Sequence, residues 1–231
     1  MRRKLLISTT LFAISTSVAG AQTRTIPLTE STKLEVRGGR VQFVDYRGRR
    51  AIRLIPLEGQ ERGTDQELSA TIVGTDFTDG VIEVDVAGRR REGYSADDAA
   101  AFKGFIGISF RVRGDTAERF YLRTENARLS SQLFRNRSTQ YEASPDFPWQ
   151  KLRQESPGMY ESYVDLEPGA WTKLKIEVKG RTARLYVHDA EQPVLVVNDL
   201  KLGESRGAIA LWSRISADAY FSNLRVTPRA Q

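Results

Sequence analysis

The chain has 231 residues, 35 basic and 29 acidic, for a net charge of +6, and it contains no cysteine. Without cysteine there can be no disulfide, no thiolate metal site and no cysteine nucleophile. Three of the basic residues and none of the acidic ones lie in the first 21 positions, so the remainder carries 32 against 29, a net of +3. So small an excess argues against a nucleic-acid surface, which needs a clustered basic patch. The clusters Arg47, Arg49, Arg50 and Arg89, Arg90, Arg91 read as solvated turns.

Residues 1–21 read as a signal peptide. Arg2, Arg3 and Lys4 form a basic start, Leu5 to Val18 is apolar and small, and Ala19-Gly20-Ala21 fits cleavage before Gln22. The apolar run is too short to cross a hydrocarbon layer of about 30 Å. No cysteine follows it to carry a lipid. The expectation is an exported protein, periplasmic or extracellular, whose residues 22–231 form one domain large enough to bury a sizeable core.

Strands are predicted at 33–36, 41–46, 51–56, 67–73 and 81–86, with turns at Gly38-Gly39, near Gly48 and at Phe77–Gly80. A polar loop follows from 87 to 101. Residues 104–113 and 118–123 form a hairpin about Gly114-Asp115, and 129–133 makes one short helical turn. The 171–226 stretch alternates most clearly. Leu174, Ile176 and Val178 point one way, and Lys173, Lys175, Glu177 and Lys179 the other. Closely spaced runs of this kind build antiparallel sheets. The fold class is therefore all-β, a two-sheet antiparallel sandwich, with the lysine-bearing strand as its plain back.

Residues 124–169 break the pattern. They are rich in Arg, Gln, Asn, Ser and Pro, and they hold Phe134, Tyr141, Phe147, Trp149, Tyr160 and Tyr163. Two readings stay open: a long binding loop, or irregular strands whose aromatics pack as core.

Alternation also assigns faces. Ile82, Val84 and Val86 point inward, as do Ile106, Ile108, Phe110, Val112, Phe120 and Leu122. If these three strands share a sheet, its outer face carries Glu83, Asp85, Ser109, Arg111, Tyr121 and Arg123. The small Gly107 and Ser109 would leave room above them. Arginine forks and carboxylates bind hydroxyls, and tyrosine rings stack on apolar sugar faces. Tyr141, Trp149 and Tyr160 of the long segment would add stacking.

The runs VIEVDV, FKGFIGISFRV, FYLR, WTKLKIEVKGRTARLYV, GAIALW and YFSNLRV follow an order that resembles the concanavalin A-like lectin and glucanase superfamily. The nearest groups are the laminin-G-like modules and the family called 3-keto-disaccharide hydrolases. The resemblance covers about residues 81–226. It implies a jelly roll, and it implies functions ranging over sugar-binding lectins, glycoside hydrolases and adhesion modules. Family 16 glucanases of this superfamily carry E-x-D-x-E or E-x-D-x-x-E on one strand. Glu83-Val84-Asp85 matches the first half, but Ala87 and Gly88 stand where the second glutamate belongs. A catalytic role for Glu83 or Asp85 would need a partner from elsewhere, such as Asp146, Glu161, Glu118 or Glu125.

His188, the single histidine, reads as a turn residue. No cofactor is expected. Calcium stays open on the oxygens of Asp97, Asp98, Asp76 and Asp79, without EF-hand spacing. The reading favoured by the sequence is an exported lectin-like domain binding a carbohydrate partner on the outer face of one sheet. A glycoside or 3-keto-disaccharide hydrolase and an envelope protein-interaction module are its alternatives.

Overall fold

The computed structural model describes residues 22–60, 66–94 and 103–229. The signal-peptide reading, Asp97 and Asp98 fall outside them. In chain order the strands are β1 (Arg24–Ile26), β2 (Leu34–Arg37), β3 (Gly39–Tyr46), β4 (Arg49–Pro56), β5 (Glu67–Ile72), β6 (Gly80–Arg90), β7 (Phe105–Arg113) and β8 (Thr116–Arg123). They continue as β9 (Thr139–Ser144), β10 (Glu161–Ser162), β11 (Thr172–Lys179), β12 (Thr182–Val187), β13 (Leu195–Val197), β14 (Ala208–Arg214) and β15 (Ala217–Pro228). Two short helices, α1 (Gln132–Arg135) and α2 (Trp149–Glu155), flank β9.

Two antiparallel sheets form a sandwich, as the alternation requires. Sheet A runs β13-β12-β11-β6-β15-β4-β3, with β1 also paired to β15, and sheet B runs β10-β9-β8-β7-β14-β5-β2. The inner faces supply one continuous core, in which Ile82, Val84, Ile176, Leu185 and Phe221 of sheet A meet Leu68, Ile106, Ile108, Phe120 and Leu211 of sheet B. No helix of the described residues is long and apolar enough to cross a membrane.

Three sequence expectations change. The strand of Glu83 and Asp85 does not share a sheet with those of Ser109 and Tyr121. β6 lies in sheet A between β11 and β15, whereas β7 and β8 lie in sheet B. Alternation tells which side chains are buried but not which sheet a strand joins. The deciding partners are distant in sequence: Lys173 faces Asp85 and Lys175 faces Glu83 across β11 and β6, opposite charges that favour this register. The lysine-bearing back is therefore the very face that carries Glu83 and Asp85.

Arg111 and Val112 are inverted. A bulge interrupts the β7–β8 ladder between Phe110 and Arg113, and Arg111 takes a left-handed φ of 54°. One extra residue moves every later side chain to the other face. Arg111 thus turns inward with no exposure, and Val112 is half-buried. The guanidinium donates to the carbonyls of Thr78, Gly180 and Gly203 at 2.8–2.9 Å and to Asp79 Oδ1 at 2.9 Å.

Finally, β6 continues through Arg89 and Arg90, so this cluster is not a solvated turn. Arg89 and Arg91 converge with Arg53 on the buried Asp218. The 124–169 stretch resolves into a 3-10 turn at Thr124–Asn126, then α1, β9, α2 and β10, and the helical turn expected at 129–133 sits at 132–135.

Candidate functional site

Each sheet turns a face to solvent, and on that of sheet B the rings Phe105, Tyr121 and Trp212 cluster together. Its centre is a closed layer. Gly107 stands in register between Tyr121 on β8 and Trp212 on β14. The Tyr121 and Trp212 rings meet over it with centroids 4.9 Å apart, and Phe105 joins at 5.8 Å from Tyr121. The room that a glycine and a serine leave on β7 is filled by these rings. Tyr121 has no exposure, and burial pushes its phenol well above the ordinary tyrosine range.

Arg119 completes the layer. Its guanidinium lies 4.2 Å from the Trp212 ring centroid. Its Nε donates to Ser109 Oγ at 2.9 Å, and Nη1 donates to Glu67 at 2.9 Å and Glu142 at 2.7 Å. Burial would raise the Glu67 carboxyl, but the charge of Arg119, aided by the Trp212 indole and Arg214, outweighs it and holds the group below the ordinary carboxylate range. The Arg119 guanidinium is spent within this network, which serves as a floor.

Two hollows flank the floor. The smaller, about 250 Å³, has a mixed lining that includes Arg37, Glu67, Thr71, Asp115 and Arg119 beside Val112, Ala117 and Ala210. The larger, about 450 Å³, lies at the end of the sheet where β7 begins and β8 and β14 finish, and this volume is in the range of small-ligand clefts. Phe105, Phe134 and Trp149 give it rings, and Lys103, Arg123, Arg137, Arg153 and Arg214 give it charge. Each has a structural reason to be there. Phe105 and Arg123 face one another across the β7–β8 ladder. Trp149 opens α2, its backbone N–H donating to Glu142 Oε2 at 3.3 Å, and Arg153 lies one turn later with its guanidinium 4.4 Å from the Trp149 ring centroid.

Arg123 is the deepest of these charges, 4% exposed. It donates to the Arg137 carbonyl at 3.0 Å, the Tyr121 hydroxyl at 3.1 Å and Gln140 Oε1 at 2.9 Å, all neutral acceptors. Burial, with Arg153 beside it, makes its charge harder to hold than that of an ordinary arginine. Asn126, also buried against the hollow, spends its amide N–H on the Arg137 carbonyl, and its Oδ1 finds no donor in the protein.

The residues singled out from sequence therefore divide. Arg123 and Trp149 come together in the large hollow, and Ser109 borders the small one. Arg111 is a buried tie between loops, and Tyr121 is floor. Tyr141 is core: its hydroxyl donates to Glu118 and accepts from Lys201 N–H. Tyr160 is also core, with its hydroxyl on Asp199 at 2.6 Å. Packing by distant strands takes these rings out of reach of a ligand. Lys103, Phe105, Asn126, Phe134, Arg137, Arg153 and Arg214 were missed. The signal that could have found several of them is the interleaving of arginine with aromatic residues between 123 and 153.

Glu83 and Asp85 line a third hollow, about 420 Å³, on the opposite face, with Trp171, His188 and Asn223. Asp85 Oδ2 accepts from Arg49 and from Asn223, each at 2.6 Å. Lys173 Nζ lies 3.4 Å from Glu83 and 2.7 Å from Asp189. His188 bonds the Asp165 carbonyl at 2.9 Å. Asp79 is occupied by Arg111 and the Gly180 N–H, and Asp76 by Arg206. Among the described residues no group of three or more His, Asp or Glu is arranged to hold a metal.

No family model and no curated protein sequence matches the chain. Solved structures do. The carbohydrate-binding module CBM66 of Bacillus subtilis is 13% identical, with a TM-score of 0.57 over 87% of this chain and 100% of that one. A Bacillus subtilis protein with a galectin-like fold is 11% identical, with a TM-score of 0.54 over 84% and 88%. The Emp47p carbohydrate recognition domain is 9% identical, with a TM-score of 0.51 over 89% and 95%. At such identities the likeness is one of fold: this chain is a jelly-roll sandwich of the galectin-like kind.

Proposed function

We propose that the protein is an exported, lectin-like carbohydrate-binding domain that takes its glycan on the outer face of sheet B, in the hollow of Trp149 and Arg123. The observation that carries this is the hollow itself. A half-buried indole, two phenylalanine rings and several guanidinium forks converge on about 450 Å³ beside a buried amide oxygen without a donor in the protein. Rings take the apolar face of a pyranose, forks and the amide oxygen take its hydroxyls. Two structures of the same fold are named for carbohydrate binding, which supports the reading as analogy. The concanavalin A-like resemblance of residues 81–226, with laminin-G-like and 3-keto-disaccharide hydrolase modules as its nearest groups, points the same way.

A hydrolase built on Glu83 and Asp85 has less support. Each carboxylate of that hollow already has a cation beside it: Asp85 lies 2.6 Å from Arg49, and Lys173 reaches both Glu83 and Asp189. Glu118 is pushed up by burial, yet it is sealed in the core with no exposure.

A glycan-array screen, followed by calorimetry on the wild type and Trp149→Ala, tests the proposal. A hit whose affinity falls in the variant is expected. A hit indifferent to Trp149→Ala would move the site elsewhere, and no hit of any kind would sink the reading.

A further inference from the structure

The Trp149 hollow holds more positive charge than the fold uses. Five cationic side chains line it and no carboxylate does. Two acids stand behind the lining: Glu161, which bridges Arg137 at 3.3 Å and Arg153 at 2.6 Å, and Glu67, 3.9 Å from Arg214. Among the described residues no carboxylate pairs with Lys103 or Arg123. Arg123 is nearly fully buried on three neutral acceptors, and a guanidinium does not shed its proton to escape that position. Lys103 lies 4.0 Å over the Phe134 ring. Burial and the nearby Arg123, Arg137 and Arg153 hold its ammonium below the ordinary lysine range.

On an open surface such side chains would splay into solvent, and their mutual repulsion would be screened. Here walls made by β7, β8, α1 and α2 confine them. Crowded like charge is a cost to folding that persists where a ligand relieves it. The same cluster has what a sugar needs besides charge: the rings of Phe105, Phe134 and Trp149 on the walls and Asn126 Oδ1 as an acceptor for a hydroxyl.

We propose that the hollow recognises an acidic sugar, a glycan unit bearing a carboxylate or a sulfate, whose oxyanion sits between Lys103 and Arg123 while its ring lies against Trp149. This rests on the carbohydrate-binding reading and narrows it. Guanidinium forks match the paired oxygens of either oxyanion, so both belong to one chemistry. A nucleic-acid phosphate is the rival source of negative charge. A short hollow at one end of a sheet, in a domain whose net excess outside its first 21 residues is three charges, does not offer the extended basic track that a strand requires.

The test is an array printed in matched pairs, each uronate or sulfated oligosaccharide beside its uncharged counterpart of equal length, with a short oligonucleotide included. Titration of the retained ligands follows at low and high salt. The acidic member of a pair is expected to bind at least about tenfold tighter, with the preference collapsing in salt. The uronate and sulfate arms identify which oxyanion fits. Lys103→Ala should weaken the acidic ligand about tenfold with little change in melting temperature, because among the described residues no carboxylate pairs with that ammonium and only its contact with the Phe134 ring is given up. Lys103→Glu, which supplies an anion from the chain itself, should abolish binding and raise the melting temperature.

Equal affinity for both members of a pair, or an affinity unmoved in Lys103→Glu, would overturn the acidic specificity and leave carbohydrate binding standing. Retention of no glycan, charged or uncharged, would overturn the carbohydrate reading as well. An oligonucleotide held tighter than every glycan would also overturn both.

Discussion

The guanidinium of Arg119 lies 4.2 Å from the ring centroid of Trp212, although their strands are not neighbours. β7 runs between β8 and β14, and only Gly107 and Ser109 keep it low enough for the two side chains to meet across it. The smallness of these residues therefore builds the floor beside the Trp149 hollow rather than open space above β7. A methyl group at Gly107 would fall 2.2 Å from the Phe120 carbonyl oxygen and 2.5 Å from Tyr121 Cβ. Gly107→Ala is expected to cost about 1–3 kcal/mol, read by urea denaturation. A variant as stable as the wild type would contradict this packing.

Arg111 makes a second stability prediction. Its guanidinium is wholly buried, and Arg111→Ala would take the donor from three loop carbonyls and leave Asp79 with the Gly180 N–H in place of its ion pair. The expected loss is about 3–5 kcal/mol, seen as a lower denaturation midpoint. The glycan affinity of the folded fraction should not change, since Arg111 lies in neither hollow of sheet B.

The two faces of the sandwich can be told apart by substitution. Glu83→Gln with Asp85→Asn alters only the sheet A hollow and should leave glycan affinity as it is. Trp149→Ala should lower it about tenfold or more, the usual scale for an aromatic anchor. Calorimetry on both variants decides, and the reverse pattern would place the ligand on sheet A.

Glu118 sets a pH dependence. Burial raises its carboxyl above the ordinary range, against the opposing pull of the Tyr141 hydroxyl and the Leu202 N–H. The folded state therefore keeps this proton at a pH where the unfolded chain has released it. Stability from this group is whole below the ordinary glutamate value of about 4.3 and declines as pH rises through the elevated folded value. Glu118→Gln removes that slope. Its stability relative to the wild type should climb from about pH 4 upward, measured as the difference in unfolding free energy across pH. Glu67, whose opposite shift makes stability fall in acid, is present in both proteins and cancels.

The sandwich was legible because Leu174, Ile176, Val178, Ile82, Val84 and Ile106 alternate with polar neighbours, and burial on one face enforces that period. Sheet membership was not legible. Glu83 and Tyr121 both alternate correctly, yet pairing of β6 with β11, some 90 residues away, assigns them to opposite faces. Arg111 was misread because a bulge leaves no mark on the alternation of the residues before it. In the 124–169 stretch the core reading holds for Tyr141 and Tyr160, whereas Trp149 borders the hollow that the proposed function uses. Lys103 escaped notice because its significance is the company it keeps in space, Arg123, Arg137 and Arg153, none of them its neighbour in sequence.

The inward turn of Arg111 joins segments that the chain brings together from positions 78–79, 180 and 203. Small exported domains commonly secure such loop ends with disulfides, and this chain has no cysteine with which to do so. A guanidinium among carbonyls makes an equivalent staple that neither oxidant nor reductant can open. The protein should accordingly reach the same fold in a reducing cytoplasm as in an oxidising medium, with no oxidative step to limit its refolding.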